Sequence, residues 1–313
     1  MNPSTWSQVS RNPVARLLLA SALLLCIPHP ATASPNEALD QKVHAAIQGF
    51  PGSVTLYAKN LDTGATYNLH GDDPVMTAST IKLPIMVELF AEAEEGKLDW
   101  NEKLTLTEQD KVPGSGVLTE LSAGDALPIR DLMHLMIVVS DNSATNMILD
   151  RIGGDAVNAR MEQLGLKQTA VMHKISGAKF PTVEGKKPGN ERWGIGRSSP
   201  QEMVTIMEKL YRGELVSRNA SAEMITVLKR QRDLNGVGRD TPDVVTASKA
   251  GALDHLRSDV AIVYASSGPI AMAVTVNGIP VVDYGPDNAG NLLIARISQI
   301  LVSGLASSTV STR

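Results

Sequence analysis

The sequence predicts an α+β fold, an α/β sandwich in layering. An antiparallel sheet is flanked by terminal helices and an all-helical subdomain is inserted between its parts. Three observations lead there. Short apolar, β-branched segments stand near both ends of the chain, and helical periodicity fills the middle. Of the 313 residues, 43% are apolar, enough for a sizeable core.

From Ser34 to Phe50, residues Leu39, Val43, Ala46, Ile47 and Phe50 recur at helical spacing, and Pro51-Gly52 ends the run. Pro35 sits near the helix start, where its missing N–H does no harm. Ser53 to Lys59 and Ala65 to His70 read as strands, with Asp62-Thr63-Gly64 as the turn between them. Helical pattern follows over Thr80 to Glu95, Ile129 to Val139, Ser143 to Arg151, Ala156 to Leu164 and Pro200 to Arg212. Between Thr169 and Pro200 no period is visible, and a connection of that length in a compact domain is usually functional or mobile. Val244 to Ser248 is β-rich. Asp259 to Ala265 and Ile270 to Val276 form a hairpin across Ser266-Ser267-Gly268-Pro269, and Asn291 to Leu305 is a last amphipathic helix. One domain is therefore expected over 34–306. Its sheet subdomain spans about 34–74 and 230–306, its helical subdomain about 75–229, and 307–313 form a polar tail.

Residues 1–33 are set apart from that domain. Arg11 and Arg16 form a basic start, and Leu17 to Ile27 an apolar stretch short for a membrane span. Ala31-Thr32-Ala33 is a small-x-small cleavage site. The expectation is a signal peptide, with the mature chain starting at Ser34, exported to the periplasm or secreted and without stable membrane insertion. A retained anchor is the alternative. The sole cysteine, Cys26, falls within this leader, so the mature chain is expected to contain no disulfide. The net charge of -4 offers no basic surplus for phosphates, and aromatics at 4% offer few stacking surfaces. Nucleic acid is not an expected partner. Nothing in the charge or periodicity pushes the chain away from a monomer.

Three short motifs carry chemistry. In Ser79-Thr80-Ile81-Lys82, the serine and lysine share a helix face. The helix N-terminus favours negative charge developing at Ser79, and a lysine able to accept a proton can activate the hydroxyl without histidine. Ser140-Asp141-Asn142 interrupts two helical segments, so a hydroxyl for proton relay and an amide for substrate can project from a turn. Lys249-Ala250-Gly251 ends a β-rich run, where the lysine can attract a carboxylate and the glycine lets the backbone come close. Each alone has an ordinary reading: a helix cap with a surface lysine, a turn, or a solvated edge-strand lysine.

Together, in this order, they resemble the motif set of class A β-lactamases and penicillin-binding DD-peptidases. Flanking segments also resemble that family: Thr77-Ala78 and Leu83-Pro84 around the first motif, Pro113-Gly114-Ser115-Gly116-Val117-Leu118 before the second, and Ser143-Ala144-Thr145-Asn146 after it. The resemblance covers nearly the whole mature chain and implies the serine β-lactamase and DD-peptidase fold. It also implies roles. Ser79 is acylated, and Lys82 acts as base or in a relay. Ser140 passes a proton to the leaving nitrogen. Asn142 holds a substrate amide. Lys249 meets the carboxylate, beside Gly251. The backbone N–H groups of Ser79 and Ala252 form the oxyanion hole. No cofactor and no metal is implied, and the histidines lack the close spacing of a zinc hydrolase.

Two departures stand out. Ala250 replaces the family's usual threonine, removing a hydroxyl that would bond the substrate carboxylate. Such a bond is worth roughly 1.5–3 kcal/mol. Arg257 or Ser258 is a candidate to compensate, with an ordinary surface charge as the alternative for Arg257. The loop after the second motif also lacks the family's Glu-x-x-Leu-Asn. Glu184 and Glu191 are the only glutamates between Thr169 and Pro200. Glu191 is the candidate deacylating base because it precedes Arg197-Ser198-Ser199-Pro200, which resembles the family's loop exit. The expected activity is hydrolysis of a small-molecule β-lactam, conferring resistance. The alternatives are a DD-peptidase, another serine ester or amide hydrolase, or a penicillin sensor that stays acylated.

Overall fold

The computed structural model describes residues 35–306. The expected leader with Cys26, its cleavage point and the polar tail lie outside the described residues.

Five strands make the main sheet: β1 (Ser53–Asn60), β2 (Thr66–Leu69), β3 (Thr246–Leu253), β4 (Leu256–Ala265) and β5 (Gly268–Asn277). Their order is β3-β4-β5-β1-β2, and every neighbouring pair is antiparallel. Strands from before the helical block thus pair with strands from after it, through β1 and β5. β3 is a free edge.

Alternate residues of the strands feed two cores. Val54, Leu56 and Ala58 of β1 and Ala261 and Val263 of β4 pack with Leu39 and Val43 of α1 (Pro35–Ile47) and Leu293, Ile297 and Leu301 of α8 (Ala289–Gly304). Val260, Ile262, Ala271 and Ala273 face the other way, into the helical layer. The sheet is therefore apolar on both faces, and the molecule has three layers.

The helical layer is built around α2 (Lys82–Glu94), in which every residue from Lys82 to Ala91 is buried. A helix buried all round must be central. Around it lie α3 (Ile129–Val138), α4 (Asn142–Ile152), α5 (Gly154–Gln163), α6 (Pro200–Arg212) and α7 (Arg218–Leu228). The α+β expectation holds, and the boundaries of α6 match the sequence reading. No described helix is long and apolar enough to cross a membrane.

Three places differ from the sequence reading. α7 carried no clear signal, because Ile225, Thr226 and Val227 form a β-branched run with poor helix propensity. The stretch after Thr169 contains short strands at Ala170–Val171, His173–Lys174, Gly177–Pro181 and Gly196–Ser198, and a one-turn 3-10 helix at Glu191–Trp193. Pairings that short have no readable period. β4 begins at Leu256, not at Asp259, with Leu253 opposite Leu256 across a two-residue turn. Arg257 and Ser258 look like turn residues but are strand residues, and both are buried, as is Asp259.

Candidate active site

Ser79 lies in a 3-10 turn, Ala78–Ile81, that leads directly into α2. Residues three apart eclipse in such a turn, which aligns Ser79 with Lys82. The backbone at Ala78 has φ 47°, left-handed for a residue with a Cβ. That strain is held by its surroundings: Thr77 N–H donates to Gly196 O at 3.1 Å and Thr80 Oγ1 to Thr77 O at 2.7 Å.

Lys82 is fully buried. Its Nζ donates to Ser140 O at 2.6 Å and Asn142 Oδ1 at 2.9 Å, and lies 3.1 Å from Ser140 Oγ, to which it donates while protonated. Burial holds its pKa well below the usual lysine value, and the positive charge of Lys249 adds to the shift. Asp141 opposes it. An amine that gives two N–H groups to the carbonyl oxygens and turns its lone pair to the Ser140 hydroxyl is suited to exchange a proton there.

The second motif is positioned by a cap. Asp141 is the N-cap of α4, accepting from Ala144 N at 2.8 Å, and its other oxygen accepts from Val117 N and Leu118 N at 2.6 and 2.9 Å. Asp141 therefore pins the 113–118 loop to the start of α4. Ser140 has φ 57°, a second strained residue beside the lysine. The Asn142 side chain is held at both ends: Oδ1 accepts from Lys82, and Nδ2 donates to Pro113 O at 3.1 Å.

The third motif lies on the free edge strand β3. Gly251 abuts the Ser79 turn so closely that a Cβ there would come within 2.9 Å of Ser79 N and Thr77 O. No larger residue fits without moving the turn. Lys249 is fully buried, not a solvated edge lysine, and its Nζ donates to Ala250 O at 2.6 Å. Burial lowers its pKa to about 8 against the pull of Asp233 and Asp259.

A cleft of about 590 Å³ joins these parts, within the range of small-molecule sites. Ser79, Asn142, Gly251, Ala252 and Arg257 all line it. Arg257 is buried, not a surface charge. It donates to the carbonyls of Leu253, Leu256 and Asp283, and its guanidinium lies 5.0 Å from the centre of the Tyr284 ring. Its bonds brace the β3–β4 turn. Glu191 is different. It stands exposed on its one-turn helix and is not among the residues lining the cleft. The loop residues that reach the cleft are Ile175 and Ser176. Asn146, one turn along α4 from Asn142, fixes them: its amide donates to Ile175 O at 3.0 Å and accepts from Ile175 N at 2.9 Å.

Sequence reasoning missed Asn146, Ile175, Asp233 and Asp259. The i,i+4 spacing of Asn142 and Asn146 was a usable signal. So was an aspartate at the head of the apolar run Val260 to Val263. Asp233 and Asp259 are the carboxylates lining the cleft. Among the described residues, no group of three or more His, Cys, Asp or Glu is placed to hold a metal ion.

Comparison with known proteins gives a consistent picture. The family model described as "Beta-lactamase enzyme family" matches residues 38–305. Beta-lactamase AER-1 of Aeromonas hydrophila is 23% identical over 295 residues, 93% of this chain and 93% of that one. The crystal structure of a beta-lactamase from Sphaerobacter thermophilus superposes with a TM-score of 0.75 at 26% identity, covering 86% of this chain and 97% of the other. PBP-A superposes with a TM-score of 0.74 at 27% identity, covering 85% of this chain and 95% of the other. A variant of PBP-A with similar likeness was solved as an acyl-enzyme complex with penicillin G.

Proposed function

This chain belongs to the beta-lactamase enzyme family and is a hydrolase of that fold, and we propose that it hydrolyses the amide bond of β-lactams through an acyl-enzyme on Ser79. The observation that carries this reading is Lys82: buried, pushed towards its neutral form, and bonded to Ser140 and Asn142 beside a cleft lined by Ser79.

In this mechanism Ser79 Oγ attacks the lactam carbonyl carbon and its proton passes to Lys82. The N–H groups of Ser79 and Ala252 receive the developing oxyanion, each donor worth a few kcal/mol, about 2.7–4. The C–N bond then breaks. Ser140 gives its hydroxyl proton to the leaving nitrogen and recovers one from Lys82. Lys249 keeps the potential positive near Ser140 and the substrate carboxylate. Water finally cleaves the ester, returning Ser79 and releasing the opened acid.

A second reading is a penicillin-binding enzyme that deacylates slowly. One observation favours it: the loop presents Ile175 and Ser176 to the cleft, while Glu191 lies on the exposed outside. A chromogenic cephalosporin mixed with the purified protein separates the two. Many turnovers per enzyme are expected, and a single stoichiometric burst would replace hydrolysis by slow release. Intact mass should show the acyl group on the parent protein and none on Ser79→Ala. No adduct on the parent, together with no turnover, would end both readings.

The cellular setting proposed is export by a cleaved leader, action as a monomer in the periplasm or outside the cell, and resistance to β-lactams in the host. N-terminal sequencing of exported protein should begin at Ser34, and a start at Met1 would point to a retained anchor.

A further inference from the structure

The third motif lacks a hydroxyl at Ala250, and the structure shows what stands next to that gap. Ala250 lies directly opposite Asp259 in the β3–β4 register. Cross-strand partners share a face with their Cβ atoms about 4.5–5.5 Å apart. Both line the cleft that holds Ser79. Asp259 is only 2% exposed. Its Oδ2 accepts from Val237 N at 2.9 Å, and a Cβ on Gly236 would come within 2.5 Å of that oxygen, so backbone seals this side. Its Oδ1 is buried and meets no donor in hydrogen-bond geometry, although the Val260 N–H lies near enough to favour the charged carboxyl. A half-satisfied buried carboxyl on a substrate cleft is costly unless a ligand completes it.

We infer that Asp259, as a neutral carboxyl, binds the carboxylate of the β-lactam, donating from Oδ1 while Oδ2 keeps the Val237 N–H. This rests on the acyl-enzyme reading and names how that site holds its substrate's anionic end. The O–H takes over the work of the hydroxyl absent from Ala250. An ionised Asp259 would instead repel the same group.

The surroundings fit a retained proton. Burial, with Asp233 from the segment before β3 adding to it, raises the Asp259 carboxyl to about 7. The Val237 and Val260 N–H groups and Lys249 from β3 oppose the rise. Arg257, two residues away on β4, spends its guanidinium on the carbonyls of Leu253, Leu256 and Asp283, at the turn end of the strand. The Tyr284 hydroxyl donates to Asp254. α8 turns Asn291 and Ile294 to the cleft, neither of them titratable. An arriving carboxylate adds negative charge and tightens the proton further. Above pH 7, binding must therefore take up one proton from solvent.

The test reads binding without chemistry, on Ser79→Ala protein, by calorimetry with a cephalosporin and with its carboxylate methyl ester. The free acid should bind up to about tenfold more weakly between pH 7 and 8, before Lys249 loses most of its own charge, and the ester should show no such slope. In Ser79→Ala with Asp259→Asn, the amide oxygen accepts from Val237 and the NH2 group donates to the ligand. Affinity at pH 6 should stay within about threefold of the Asp259 protein, with the slope between pH 7 and 8 gone. Ala250→Thr in the Ser79→Ala background is the second variant. Its restored hydroxyl should tighten binding at pH 8–9. The inference is overturned if the slope persists in Asp259→Asn, which would assign it to Lys249, or if Asp259→Asn and Ala250→Thr both leave the profile unmoved. Affinity that improves with rising pH would overturn it too, marking an anionic Asp259 that selects a hydrogen-bond donor. Failure of the acyl-enzyme reading is seen separately, as a parent protein that shows neither turnover nor a mass adduct.

Discussion

Two lysines stand in this site, on opposite walls, and both are fully buried. They are not equivalent. Lys82, on the helical wall, is surrounded by neutral oxygens, with Lys249 near enough to repel it and Asp141 turned to backbone N–H groups. It loses its proton readily. Lys249, on the sheet wall, has Asp233 and Asp259 to offset part of the burial, and titrates near 8. Burial alone drives every lysine towards neutrality. The nearby charges decide which becomes the proton acceptor and which remains the anchor of positive potential.

The largest test of this contrast removes the helical-wall amine. Lys82→Ala should slow acylation by about 10²–10⁴-fold, measured by stopped-flow with a chromogenic cephalosporin. A fall of less than threefold would give the base's role to another group.

On the sheet wall the contrast is read through stability. The Asp259 carboxyl is higher in the folded chain, about 7, than its ordinary 3.8. Its contribution is therefore complete below pH 4 and is lost as pH rises through 7. Asp259→Asn should remove that loss, gaining on the parent by up to about 4 kcal/mol between pH 4 and 7.5 in urea titrations. Parallel pH profiles for the two proteins would show that Asp259 holds its proton no more tightly in the folded chain than in the unfolded one.

Where the walls meet, Gly251→Ala should displace the Ser79 turn. A misplacement approaching 1 Å costs up to about 10²-fold in acylation, with substrate affinity changing less than kcat. An unchanged acylation rate would mean that the turn yields freely. The smallest effect expected is at the loop beside the helical wall. Asn146→Ala leaves the Ile175 backbone groups without their two bonds and should cost about 1–3 kcal/mol by thermal unfolding. It should also speed hydrogen exchange at Ile175 and Ser176, and unchanged exchange would assign their order to other contacts.

The sequence by itself determined the layers and the three motifs. Apolar periodicity is local, so the terminal helices, the Ser53–Asn60 strand and α6 were legible from their own residues. Ser79, Lys82, Ser140, Asn142, Lys249 and Gly251 were legible because short motifs fix side chains relative to the backbone that carries them. The tertiary structure alone decided the environments. That both lysines are sealed from water, that Arg257 braces a turn, that Ile175 faces the cleft while Glu191 does not, and that Asp259 stands across from Ala250 all depend on strands and loops far apart in the chain. Burial and charge proximity are properties of the assembled layers, and no spacing along one segment encodes them. The strand start at Leu256 shows the limit most clearly. Arg257 and Ser258 lie outside the strand that the sequence suggests, and only pairing with β3 on one side and β5 on the other makes them interior.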